Sequence, residues 1–123
     1  MIRILVLLLL LTSCYSIDRD CNNFRTGKFE FSYELNDTIK KSIFTRTLDY
    51  EIEQYDNIID SSSISWVNNC EFILTKLNPK TNQEKRPVKI KILRTYEDSY
   101  DFEYSSVNEP IIIKRGTVKR YKD

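Results

Sequence analysis

Lys28-Phe29-Glu30-Phe31-Ser32-Tyr33-Glu34-Leu35 is the stretch that decides the fold class. Apolar side chains stand at 29, 31, 33 and 35, and polar ones at 28, 30, 32 and 34. A period of two places the apolar set on one face of an extended strand, whereas a helix would scatter it around the axis. Asn36-Asp37 follows, a pair that tolerates turn backbone and ends the strand. The same period returns downstream. Val88, Ile90 and Ile92 alternate with Lys89 and Lys91, and Tyr100, Phe102 and Tyr104 with Asp101 and Glu103. Further strands are expected at Ile43–Arg46, Tyr50–Tyr55, Ile64–Val67, Cys70–Leu77 and Ile111–Tyr121. Turns are expected near Leu48-Asp49 and at Asp56-Asn57, Asn68-Asn69, Asn78–Asn82, Glu97–Ser99 and Asn108–Pro110. Ser61-Ser62-Ser63 reads as one more polar turn. Gly27 reads as a bulge glycine entering the first strand, and Gly116 as a bulge in the last.

About eight short antiparallel strands with short connections make an all-β domain. A sandwich and an up-and-down barrel are both possible; the absence of long crossovers favours the barrel. Eight strands close around side chains or one small ligand, and closure removes the edges that an exported chain must protect. Charges alternate by strand: Lys89 and Lys91, then Asp101 and Glu103, then Lys114 and Lys119. That ladder belongs outside, with Phe29, Phe31, Trp66, Phe102 and Tyr104 inside. Arg46 shares the face of Phe44, so its guanidinium is expected to point inward, and a buried Arg needs a partner. Glu53 on the next strand or Glu71 could supply it. Such a group is either the polar floor of a ligand cavity or an ion pair that fixes strand register. Trp66 is either a core plug or a stacking platform, and a slip of one residue near Asn68-Asn69 would exchange its face with that of Val67. Acids such as Asp49 and Glu51 read as solvated strand faces.

The first residues speak of location. Arg3, the apolar run Ile4–Leu11 and Leu11-Thr12-Ser13-Cys14 form a secretory signal ending at a small pair before a Cys. That is a bacterial lipobox, with Cys14 as the lipid-bearing first residue of the mature chain. The apolar run is too short to span a bilayer, which takes about 20 residues. The expected organisation is a signal peptide over 1–13, a lipidated tether over 14–22 and a barrel over 23–123. Tyr15 after the Cys, in place of Asp, leans toward the outer membrane of the cell envelope. Of 19 basic and 18 acidic residues only Arg3 lies in the signal, so the remaining chain is charge-neutral. A neutral chain carries no field that would gather nucleic acid. Cys21 and Cys70 form an even pair in an oxidising compartment, which reads as a disulfide closing a loop of about 50 residues; two free buried thiols are the alternative.

The chain has no His, which removes the commonest metal ligand and the commonest general base. No activated nucleophile accompanies Ser61–Ser63, so no catalytic residue, cofactor or metal is expected, and a non-enzymatic monomer is.

Ser13-Cys14-Tyr15, Arg19-Asp20-Cys21 and Phe24–Phe31 are similar to the opening of a group of small bacterial lipoproteins with a lipocalin-like barrel. The likeness continues through Phe44-Thr45-Arg46, Glu51-Ile52-Glu53, Ser65–Phe72, Lys76–Lys80, Lys91-Ile92-Leu93 and Gly116-Thr117-Val118. Asn69 stands where that group typically has Asp. Arg46, Glu53, Trp66 and Glu71 match its most distinctive positions. The resemblance implies a lipid-anchored barrel whose partners are the membrane and either a small apolar or amphipathic ligand or another envelope protein. Some members bear the name DNA topoisomerase IV. A type II topoisomerase needs an ATPase module, an acidic metal cluster and a cleavage domain, on a chain several times this length.

Overall fold

The computed structural model describes residues 19–123, so the signal peptide expected over 1–13 and the expected lipid site Cys14 lie outside the described residues. Eight strands run as an antiparallel meander: β1 (Gly27–Leu35), β2 (Thr38–Arg46), β3 (Tyr50–Tyr55), β4 (Ile58–Asn68), β5 (Glu71–Lys76), β6 (Val88–Thr95), β7 (Ser99–Ser106) and β8 (Glu109–Arg120). They close into a barrel in which β8 returns to β1. The alternation at 28–35 is realised in β1, where Phe29 is buried and Lys28 exposed.

Local chemistry sets the hairpins. Asn36 and Asp37 take φ of 52° and 63°, and Asp56 and Asn57 take 44° and 65°. Two consecutive left-handed residues match the twist of a two-residue hairpin, and Asn and Asp enter that region at low cost. Strands β2 and β4 therefore start directly after these pairs, earlier than Ile43 and Ile64. In the β4–β5 turn the Cys70 N–H donates to Asn68 Oδ1 at 2.8 Å.

Several expectations need correcting. Ser61-Ser62-Ser63 is not a turn but the middle of β4, paired to Ile52, Glu51 and Tyr50 of β3. Ladders on both sides outweigh the weak strand propensity of Ser. Gly116 is not a bulge; it sits opposite Phe102. A Cβ there would lie 2.8 Å from a ring carbon of Phe31 and 3.1 Å from Phe102, so the missing side chain makes room for two rings. The irregularities lie elsewhere, between Trp66 and Asn68, Ile92 and Arg94, and Tyr104 and Ser106. In the last, Ser105 alone faces Pro110–Ile113 of β8. The last turn is Val107-Asn108, one residue earlier than expected, so Glu109 and Pro110 already belong to β8. Outer charge pairs do form, Lys89 with Glu71 at 3.3 Å and Arg115 with Glu103 at 3.8 Å. Lys114 is not one of them: paired to Tyr104, it has the parity of inward-facing Phe102 and Val118 partners and ends at the rim.

One end of the barrel is plugged. A short 3-10 helix, Cys21–Phe24, lies across it, with Phe24 fully buried against Tyr100 (ring centroids 5.2 Å) and Phe29 (6.2 Å). Arg120, near the end of β8, donates to Asn23 O at 2.8 Å and lays its guanidinium over the rings of Phe24 and Phe29. Gly27 is the hinge that allows this, rather than a bulge. Its φ is 138°, and a Cβ would come within 2.9 Å of an Arg120 nitrogen. The Cys21–Cys70 disulfide (S–S 2.06 Å) ties the plug to the β4–β5 turn. At the other end the β1–β8 ladder stops after three pairs, Phe29–Arg120 to Phe31–Val118, which leaves the seam open above Phe31.

The disulfide spans 49 residues of sequence, and a loop of that size restricts the unfolded chain by about 4 kcal/mol. Cys21→Ala/Cys70→Ala is expected to lose about that much stability in urea unfolding while keeping its β spectrum. A loss below about 1 kcal/mol would show that the plug holds without the staple.

Candidate functional site

Above the plug the barrel keeps an internal cavity of about 310 Å³. This is at the low end of the range for small-molecule sites, about 300–1,000 Å³. Its apolar wall is assembled by strand alternation: Phe31 and Tyr33 from β1, Phe44 from β2, Ile90 from β6, Phe102 and Tyr104 from β7. Phe102 stacks on Tyr104 at 5.6 Å and meets Phe31 edge-on at 5.6 Å, so the rings hold one another in place. A groove along the open seam shares Phe31, Tyr33 and Tyr104 with the cavity.

The floor is polar, and Arg46 is its centre. Parity on β2 turns Ser42, Phe44 and Arg46 inward, and Arg46 is only 2% exposed. Its Nε donates to Glu51 Oε2 at 3.1 Å, one terminal nitrogen to Phe24 O at 2.8 Å and the other to Tyr100 Oη at 2.8 Å. The rings of Phe72 (4.7 Å), Phe29 (5.0 Å) and Phe44 (5.3 Å) surround the guanidinium. The carboxylate partner is therefore neither Glu53 nor Glu71. Glu71 sits outside on Lys89, and Glu53 accepts a hydrogen bond from Ser42 Oγ at 2.6 Å. Nor is Glu51 a solvated strand face. Arg46 pairs directly across to Glu51 in the β2–β3 ladder, so one inward residue dictates the other. Inversion of β3 follows: Glu51 and Glu53 face in while Ile52 and Tyr50 face out.

Electrostatics follow from burial. Burial pushes the Glu51 carboxyl above the usual glutamate range; Arg46 pulls against that shift and Glu53 adds to it. Burial also pushes the Tyr100 phenol up, so it stays neutral and accepts from Arg46. For Arg46 burial acts downward, but Tyr100 and Glu51 outweigh it and keep the charge.

Trp66 faces inward at the plugged end and Val67 faces out. The indole packs on Phe72 at 4.8 Å, lies under the Arg25 guanidinium at 4.5 Å and donates Nε1–H to Leu48 O at 2.9 Å. It does not line the cavity. The structure thus brings Arg46 and Glu53 together at one cavity, and leaves Trp66 below it and Glu71 outside. Sequence reading missed Glu51, Tyr100 and Phe24. A two-residue turn at Leu48-Asp49 already sets Arg46 opposite Glu51, so counting register from that turn finds the pair. No local signal places Tyr100 or Phe24 beside it.

Removing one member of a buried ion pair costs about 3–5 kcal/mol. Arg46→Met is expected to lose that much at neutral pH. Without Arg46 the native Glu51 carboxyl rises further, so the native state binds its proton more tightly than the unfolded chain does. Stability of the variant must then fall as pH climbs from the ordinary glutamate range toward neutrality. Urea midpoints for both proteins across that range check this. A loss that does not vary with pH would mean that the charge on Glu51 is not what Arg46 answers.

Set beside protein-family models, curated proteins and solved structures, the chain matches none of them, so what the cavity can hold follows from its own side chains.

Proposed function

We propose that this protein is a lipid-anchored barrel of the cell envelope that binds a small amphipathic ligand and catalyses no reaction. The observation that carries the reading is the cavity itself: an aromatic wall above a polar floor, reached from the open end and along the β1–β8 seam. An interior packed for stability alone would fill that space, because native cores leave few voids larger than a water. The lipobox at Leu11–Cys14 supports the anchor, and its likeness to small bacterial lipoproteins supports the family. A diacylglyceryl Cys carries enough chains for stable attachment, which one chain does not give. The tether from Cys14 to Cys21 reaches at most about 25 Å and joins the plugged end, so the mouth points away from the anchor or along the membrane.

A second reading rests on the rim. Ile39, Ile59 and Ile111 are 78%, 68% and 92% exposed, all on hairpins of the open end. Apolar groups left in water at one end suit a protein partner. In this reading the barrel is an interaction or inhibitor module.

Two measurements separate these. Wild-type protein solubilised from envelopes is expected to carry a small amphiphile at near one-to-one ratio by native mass spectrometry. Ile90→Trp, which fills the cavity, should lose it while keeping the wild-type β spectrum. Recovery of a stoichiometric protein partner by both forms, with no small molecule, favours the rim. Cys14→Ser should move the protein from the membrane to the aqueous fraction, and a variant that still pellets with membranes would remove the anchor.

A further inference from the structure

The ligand class can be read from the charge left over inside the barrel. Three charged side chains line the cavity: Arg46, Glu51 and Glu53. Arg46 and Glu51 cancel, because they form an ion pair at 3.1 Å, and Arg46 donates two further hydrogen bonds to Tyr100 Oη and Phe24 O. Glu53 is left. Among the described residues it forms no ion pair, and its hydrogen-bond partner is Ser42 Oγ on one oxygen, Oε1. The cavity thus holds one unneutralised carboxylate beneath aromatic rings.

Lys76 and Arg86 line a larger neighbouring pocket that shares Glu51 and Glu53 with this cavity, but these cations, like Lys40, are paired with acids other than Glu53. Lys40 pairs with Asp56 at 3.7 Å, Lys76 with Asp60 at 2.8 Å and Arg86 with Glu109 at 3.0 Å. Burial acts to pull the Lys76 amine below the usual lysine range, but Asp60 and Glu84 outweigh it and hold the amine above that range, protonated and paired to them. Lys114 is exposed at the rim and does not line the central cavity.

Resting on the reading of this cavity as a ligand site, we infer that its ligand is a cation: a primary or substituted ammonium on a small apolar or aromatic body. The ammonium replaces the missing counter-charge at Glu53 and donates to its second oxygen. Phe31, Phe102 and Tyr104 receive the apolar body, and their ring faces attract the cation further. An anionic headgroup would meet Glu53 with no free guanidinium to answer it, which reverses the role that an inward Arg46 first suggests.

The test uses three probes of matched shape: 2-phenylethylammonium, 2-phenylethanol and phenylacetate. Each is titrated calorimetrically into the full chain in lipid nanodiscs, with empty nanodiscs as the blank. The ammonium is expected to bind at least about tenfold more tightly than the alcohol, the size of one charged hydrogen bond at its low end, and phenylacetate least. Glu53→Gln should bring the ammonium to the level of the alcohol and leave the alcohol unchanged. Ser42→Ala, which keeps the carboxylate, should preserve the preference. Equal binding of ammonium and alcohol, or tightest binding of phenylacetate, overturns the cation while the cavity stands as a ligand site. Binding of none of the three overturns the ligand site and the inference with it. The ranking by the wild-type protein decides the matter even if Glu53→Gln does not fold.

Discussion

A guanidinium buried among aromatic rings is the constraint on which the rest of this barrel depends. Desolvating Arg46 costs several kcal/mol unless every donor direction is answered. The answers come from three separate elements: a carboxylate on β3, a phenol on β7 and a backbone carbonyl of the 3-10 helix. Those elements are therefore fixed relative to β2. The plug cannot drift without exposing Arg46 to an unsatisfied interior, and the disulfide at Cys21 restrains the same plug from its other side.

What Arg46 takes for structure it removes from chemistry. An inward arginine under a cavity suggests a receptor for carboxylate or phosphate. Here its hydrogen bonds go to protein groups, and the carboxylate that neutralises it is its own ladder partner. The next inward residue on β3, Glu53, then becomes the exposed charge of the cavity. Two glutamates two positions apart on one strand thus differ in place: one completes the floor by pairing with Arg46, the other faces the cavity without an ion pair.

The β1–β8 seam shows a second coupling between packing and access. Gly116 and Gly27 each leave room for a neighbour's side chain, rings in one case and Arg120 in the other. Gly27 lies before the three-pair β1–β8 ladder, at the plug, and Gly116 lies past its other end, on the open seam. Beyond Phe31 nothing pairs the two strands, and Pro110–Ile113 bulges out of register with β7. The barrel is tight where it must bury Arg46 and open along the β1–β8 seam at the other end.

Period-two alternation at 28–35, 88–92 and 100–104 was enough to determine an all-β chain, because a pleated strand sorts its side chains to two faces whatever surrounds it. Asn36-Asp37 and Asp56-Asn57 determined two hairpins for an equally local reason, their ease in left-handed backbone. Cysteine parity past the expected lipobox pointed to a Cys21–Cys70 pair with free thiols as the alternative, and the structure forms the disulfide. Tertiary structure alone decided the rest. Ser61–Ser63 became strand because ladders on both sides claimed it. Glu51 turned inward because cross-strand register outranks the hydropathy of a single strand. Tyr100 and Phe24 reached Arg46 from 54 and 22 residues away, and no spacing in the chain encodes a contact made only when the barrel closes.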